Sequence, residues 1–224
     1  MDLYEAILAR RSVRRFEQRS LDADALEQVR TVVAAVRPLT PENQFKVLYR
    51  DVAQGEDLVQ ALGAYGRIVT PPHYLVPYLL PEPGQPSSLF DLTDLGFRVQ
   101  QIAVRLAQAG LGSCYVGCLP REEAARALFG LPEGARVGAT LVYGYVGSRR
   151  RDRLVNTTMR RAVGATRKLP PERLFYEGAF DRTSLPPPEL APLVQAARAA
   201  ASADNAQPWR LLWYEGRQIG RAHV

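Results

Sequence analysis

The chain has 224 residues, 46% of them apolar and 23% charged, and a net charge of +6. This is the composition of an ordinary folded protein, and it excludes a collagen-like, fibrous or wholly disordered chain. No apolar run reaches the roughly 18–20 residues of a membrane helix, and the acidic start Met1-Asp2-Leu3-Tyr4-Glu5 is unlike a signal peptide, so a cytoplasmic protein is expected.

Residues 2–9 predict a short helix with Leu3, Ile7 and Leu8 on one side, followed by the basic run Arg10-Arg11-Ser12-Val13-Arg14-Arg15-Phe16. Asp22 or Asp24 can cap a second helix, in which Leu26, Val29, Val33 and Val36 recur at helical spacing until Pro38 and Pro41 end it. Phe45–Tyr49 reads as a strand, 55–66 as a helix, and Tyr74–Leu79 as a strand whose proline implies an edge or irregular position. Pro81–Ser88 is a loop. The helix over 91–109 is the clearest in the chain, with Leu95, Val99, Ile102, Leu106 and Ala109 in one stripe and Gly110 placed to cap it.

Gly112–Gly117 is a tight, glycine-bounded segment. Arg121–Phe129 predicts a short helix and Val137–Val146 an interior strand. A basic connector, Arg149 to about Leu169, leads through Pro186-Pro187-Pro188 to a helix at 189–201 and a strand at 210–214. Helix, polar turn and strand recur in Leu26–Tyr49 and Leu190–Tyr214, a hint of internal duplication. The alternation of helices and strands predicts a layered α+β or α/β domain.

The last six residues, Ile219–Val224, coincide with a sequencing adapter read as ATC GGA AGA GCA CAC GTC. Residues 218–224 are therefore set aside from the fold, the natural chain is expected to continue beyond Arg217, and His223 is given no role.

The remaining chemistry is sparse. His73 is then the one histidine, which leaves no His-based triad and no multi-histidine metal site. Cys114 and Cys118 lie four apart without further ligands nearby; they fit neither a closed zinc site nor a disulfide framework. No Walker loop and no GxGxxG is present. An enzyme built this way relies on a cofactor. Arginine supplies nearly all the positive charge, since Lys46 and Lys168 are the only lysines. Arg149–Lys168 lacks interleaved aromatics, so a nucleic-acid partner is not expected.

Three segments can hold a cofactor. Arg10-Arg11-Ser12-Val13-Arg14 places three guanidiniums and a hydroxyl within five residues, and arginine forks suit phosphate oxygens. Gly110–Gly117 offers backbone that a flat ring can approach. Ser202-Ala203-Asp204-Asn205-Ala206-Gln207-Pro208-Trp209 sets hydroxyl, carboxamide and indole groups between a helix and a strand, where amides can meet the edge of a heterocycle.

Together the three segments resemble the FMN-dependent nitroreductase family over nearly all of residues 1–217. The order departs from that family's usual pattern, because the well-formed Gln-Pro-Trp signature sits near residue 205 and only a degenerate Pro38–Phe45 follows the arginine motif. This layout is similar to a subgroup resembling a fused, rearranged pseudo-dimer. The resemblance implies an α+β fold with a mixed, mostly antiparallel sheet flanked by helices, a first lobe over 1–148, a basic connector over 149–188 and the start of a second lobe over 189–217. It also implies FMN as cofactor, NAD(P)H as reductant, and a small electron-poor acceptor such as a nitroaromatic or quinone. Arg10, Arg11, Ser12 and Arg14 would take the flavin phosphate and ribityl chain, and Val116 and Gly117 would lie beside the ring. Ser202, Asn205 and Gln207 would come from the opposite lobe, and Arg151 or Arg153 would complete the phosphate site. No catalytic side chain and no metal is expected. The chain would act as a monomeric pseudo-dimer or a homodimer, without membrane or nucleic acid. A flavin-binding protein without turnover is the alternative.

Overall fold

The computed structural model describes residues 1–39, 43–51, 69–80, 88–118, 122–162, 164, 166–214 and 217–222. The helix expected at 55–66 and most of the loop at 81–88 lie outside them. The chain divides into two compact units, residues 11–156 and residues 1–10 with 157–224.

The larger unit is built on four antiparallel strands, β1 (Gln44–Asp51), β2 (His73–Leu80), β3 (Gly112–Gly117) and β4 (Ala139–Gly144), in the order β1-β2-β4-β3. Side chains alternate across this sheet, and both faces are covered. Tyr74, Val76, Tyr78 and Val142 enter one apolar cluster with Val13, Phe16 and Phe129, whereas Leu75, Leu79, Leu141 and Tyr143 enter another with Val29, Leu95, Val99 and Ile102. Burial on both faces explains why β2 reads as a continuous apolar run.

The helices carry the signals that start and end them. α1 (Leu3–Ala9), which belongs to the smaller unit, opens with a reciprocal Asp2/Glu5 capping box. α2 (Ala23–Ala34) is capped by Asp22, whose side chain accepts the Ala25 amide at 2.9 Å. α3 (Leu89–Gln108) has a Ser88/Asp91 capping box, buries the expected stripe and ends at Gly110, whose φ of +77° suits glycine. α4 (Glu122–Phe129) packs Ala125 and Phe129 against the opposite face.

Four readings change. β2 is an interior strand, not an edge. Its pairing with β4 stops at Leu75, so Pro77, opposite Val47 of β1, removes no bond from the β2–β4 ladder. In α1 the buried residue is Ala6, while Leu3 and Leu8 are exposed. The basic stretch after Arg149 forms a helix, α5 (Arg150–Ala162), that buries no residue. The glycine-bounded segment is strand β3.

The smaller unit holds α1, the short strand β5 (Phe175–Glu177), α6 (Ala191–Ala199), β6 (Trp209–Tyr214) and β7 (Arg217–Ala222). β5 and β6 run parallel, β6 and β7 antiparallel, over a core of Phe175, Leu190, Val194 and Leu211. Residues 217–222, set aside in part at the sequence level, thus pair along β6. α1 packs against α6.

Candidate functional site

In the larger unit the arginine motif is an extra strand-like segment fastened to β3. Ser12 bridges Ser113 in parallel, and the Val13 amide donates to the Ser113 carbonyl at 2.9 Å. Close approach here depends on Gly112, where a Cβ would fall 2.9 Å from Val13 Cγ2. Asn156 of α5 fixes the other end: its Oδ1 accepts the Arg14 and Arg15 amides at 2.9 and 3.0 Å, and its Nδ2 donates to the Arg15 carbonyl at 3.1 Å. Val13 and Phe16 sink into the core, Arg14 is buried, Ser12 is half-buried and Arg11 is exposed.

β3 also carries Val116 and Gly117. Val116 is buried; Gly117 is exposed, and a Cβ there would meet no atom within 4 Å among the described residues. Open backbone at the end of a strand is a surface on which a planar ring can rest. Arg151 and Arg153 both lie exposed on α5.

In the smaller unit the turn Ser202–Trp209 has three non-glycine residues at positive φ, Asp204 at +47°, Asn205 at +56° and Gln207 at +50°. Such residues persist only where surroundings hold them, and here side-chain amides do so. Asn205 Nδ2 donates to the carbonyls of Gly164 and Arg167 at 2.8 and 3.1 Å. Gln207 is buried; its Nε2 donates to the carbonyls of Arg167 and Asn205 at 3.0 and 3.2 Å, and its Oε1 accepts the Leu169 amide at 2.8 Å. The Ser202 hydroxyl accepts the Gln207 amide at 3.1 Å. Both donor hydrogens of the Gln207 carboxamide are therefore engaged inside the unit, and Gln207 braces the turn.

The same unit contains one cation that the sequence leaves outside the candidate segments. Lys168 is half-buried, donates from Nζ to the Ala200 carbonyl at 2.9 Å, and has its ammonium pulled below the usual lysine value by burial first, then by the charges of Arg10 and Arg198. Arg198 in turn donates from Nε to the Leu169 carbonyl at 2.6 Å. The indole Nε1 of Trp209 is buried without a hydrogen-bond partner among the described residues. Lys168 is thus a cation that senses Arg10 within the smaller unit. Its rarity was the available signal, since the chain has only two lysines.

This fold, an antiparallel sheet covered by helices on both faces, is shared with solved nitroreductases. A nitroreductase from Thermotoga maritima matches 99% of this chain and 76% of its own at 20% identity, with a TM-score of 0.59. Nitroreductase A from Vibrio parahaemolyticus covers 66% of this chain and 70% of its own, with 20% identity and a TM-score of 0.57. The NADPH:FMN oxidoreductase from Vibrio harveyi, complexed with NAD+, covers 65% and 69%, with 21% identity and a TM-score of 0.57. No curated protein matches the sequence. The sequence model of the family described as "Putative TM nitroreductase" matches residues 2–221, and the chain belongs to that family.

Proposed function

We propose that this protein is an FMN-dependent oxidoreductase of the nitroreductase type, drawing on NAD(P)H and reducing an electron-poor small molecule such as a nitroaromatic or a quinone. Lys168 carries the proposal. An ammonium that is half-buried, with two guanidiniums as its electrostatic neighbours, sits in a place that favours a polyvalent anion. A flavin phosphate is such an anion, and Arg10 with Lys168 would receive it. The half-buried Ser12 hydroxyl and the buried Arg14 would take part in holding the phosphate and ribityl chain, with Arg11 at the exposed side. The open backbone at Gly117, beside Val116, suits a planar ring, and the Trp209 N–H, without a partner among the described residues, is a donor for a ligand acceptor.

When bound, FMN supplies the electron-carrying chemistry that no side chain of this protein offers. The chain's own residues bind and orient. The paired amides of the Ser202–Trp209 turn keep that segment in one conformation, and Asn156 keeps the arginine motif at its place along β3. Preorganised groups lose little freedom when a ligand arrives. The Vibrio harveyi protein, described with both FMN and nicotinamide in its name, supports the choice of reductant. Among the described residues no helix is long and apolar enough to cross a membrane. The proposal is of a cytoplasmic enzyme working as a monomeric pseudo-dimer or a homodimer.

Titration of the protein with FMN, followed by quenching of flavin fluorescence, tests the reading. Saturable binding that weakens about tenfold or more in Lys168→Gln is expected, since a hydrogen bond to a charged group contributes roughly 1.5–3 kcal/mol. NAD(P)H oxidation coupled to a nitroaromatic should then follow. No saturable binding by the folded chain would overturn the proposal, and binding without NAD(P)H oxidation would leave a flavin-binding protein without turnover.

A further inference from the structure

Thr140 of β4 is a hydroxyl in an apolar layer. It is fully buried, and by the alternation of the strand it shares a face with Val142, whose cluster includes Val76, Val116 and Cys118. A valine would fill the same space with no polar group to satisfy. The Thr140 hydroxyl donates to the Val116 carbonyl at 3.4 Å, and the Cys118 thiol donates to the same carbonyl at 3.6 Å. Burial raises the Cys118 thiol above its usual value, so the proton stays on sulfur.

The β3–β4 ladder supplies a third donor. The Cys118 amide donates to the Gly138 carbonyl at 2.8 Å, which makes theirs a hydrogen-bonded pair, and two residues along the same register Val116 and Thr140 form the next one. The Thr140 amide therefore also faces the Val116 carbonyl. A carbonyl oxygen has two lone pairs, and three donors converge on this one. Each side-chain contact is long, so the effect lies in their sum.

The same alternation turns the next residue outward. Gly117 stands opposite Ala139 in a pair without ladder bonds, so its N–H points away from β4, on the outer side of the last strand in the sheet. Ser113, four residues back and of the same parity, confirms that direction: its carbonyl accepts the Val13 amide at 2.9 Å. The Gly117 N–H and the Val116 carbonyl belong to one peptide group. Donors on the oxygen polarise that group and leave its N–H a stronger donor. Gly117 is exposed, and no described atom lies within 4 Å of where its Cβ would be, so a ligand can reach this N–H.

We propose that Thr140 and Cys118 are positioning residues for the ligand site: from the core they fix the plane of the Val116–Gly117 peptide and strengthen the Gly117 N–H as a donor toward the ligand. This rests on the placement of the flavin ring at Gly117 proposed above. A stronger donor favours the more electron-rich form of a bound ring, so the two side chains bias the site toward reduced FMN.

The test uses the full chain in two states. Without FMN, the Gly117 amide proton is followed by NMR. Thr140→Val keeps the shape, removes the hydroxyl and should move this resonance upfield. Cys118→Ala should move it the same way, and Thr140→Ser, which keeps the hydroxyl, should leave it in place. With FMN, the midpoint potential of the bound flavin reports its relative affinity in the reduced and oxidised forms. Thr140→Val should lower that ratio about twofold or more, which is about 9 mV for a two-electron couple, and Thr140→Ser should restore it. An unmoved Gly117 amide in Thr140→Val, or an equal displacement in Thr140→Ser, would overturn the proposal and leave Thr140 a packing group. So would an unchanged potential in a Thr140→Val protein that binds FMN. Absence of FMN binding by the unsubstituted chain would overturn the flavin reading instead, and the Gly117 amide would still decide whether Thr140 and Cys118 act on this peptide.

Discussion

His73 Nε2 is the hydrogen-bond acceptor for the Leu21 amide, so the buried imidazole is useful to the fold only in its neutral form. Protonation would place N–H against N–H and strand a charge in the interior. Burial accordingly pulls the His73 value below the ordinary 6.5, with Asp51 acting weakly in the opposite sense. The unfolded chain then binds more protons than the native one below about pH 6.5, so stability falls as pH drops from there toward the depressed native value and is complete above it. Melting temperatures measured from pH 8 to pH 5 should decline across this window, and the decline should be shallower in His73→Gln.

Asp94 of α3 is fully buried and accepts from the Leu39 amide at 2.6 Å and from Arg98 Nε and Nη2 at 3.0 and 2.9 Å. Arg98 Nη2 also donates to the Asn43 carbonyl at 3.3 Å. The pair therefore fastens the segment after α2 to the middle of the larger unit. Removing one partner of a buried ion pair leaves a stranded charge and costs about 3–5 kcal/mol. Urea unfolding of Asp94→Ala should show a loss of that order. The double change Asp94→Leu with Arg98→Met should recover much of it, because no lone charge is then left.

Gly112 and Gly144 face each other in the β3–β4 register, and each makes space for a different neighbour. A Cβ at Gly112 would crowd Val13 and Val146 at 2.9 Å, and one at Gly144 would lie 2.6 Å from the Pro72 ring. Val13 can give by moving the arginine motif, whereas a proline ring has little to give. Overpacking typically costs 1–3 kcal/mol. Gly144→Ala should therefore lower the urea midpoint more than Gly112→Ala, and Gly112→Ala should weaken FMN binding more than its stability loss alone would suggest.

Gln207→Leu is expected to destabilise the smaller unit by about 1–3 kcal/mol, since it leaves the Leu169 N–H without its acceptor. Hydrogen exchange should show faster exchange at Leu169 and through Ser202–Trp209, with the amides of β2 and β4 unaffected.

Legibility from sequence followed the kind of physics each segment uses. The 95/99/102/106 stripe, the Asp22 cap and the Gly110 stop are local signals, and α2 and α3 lie where they point. Pro77 suggests an edge or irregular strand because the sequence does not show where the pairing of β2 with β4 ends. α5 escaped notice as a helix because it buries nothing, so no apolar period marks it. Asn156 and Lys168 were invisible for another reason. Asn156 matters through Arg14 and Arg15, and Lys168 through Arg10, partners more than 140 residues away that no local pattern connects. For Gln207, the residue type suggested a ligand contact, and only the neighbouring carbonyls reveal its work as a brace.

The packing of α1 on α6 sets an order of events during synthesis. Leu3–Ala9 is made before the larger unit, yet its partner Ala191–Ala199 arrives only after residues 10–190 have been made. The larger unit is one uninterrupted stretch, 11–156, and can complete its sheet while the smaller unit still lacks most of its chain. Through that interval α1 waits with Ala6 uncovered, a seven-residue helix too short to persist alone. A segment made before the larger unit is thus secured only after that unit is complete.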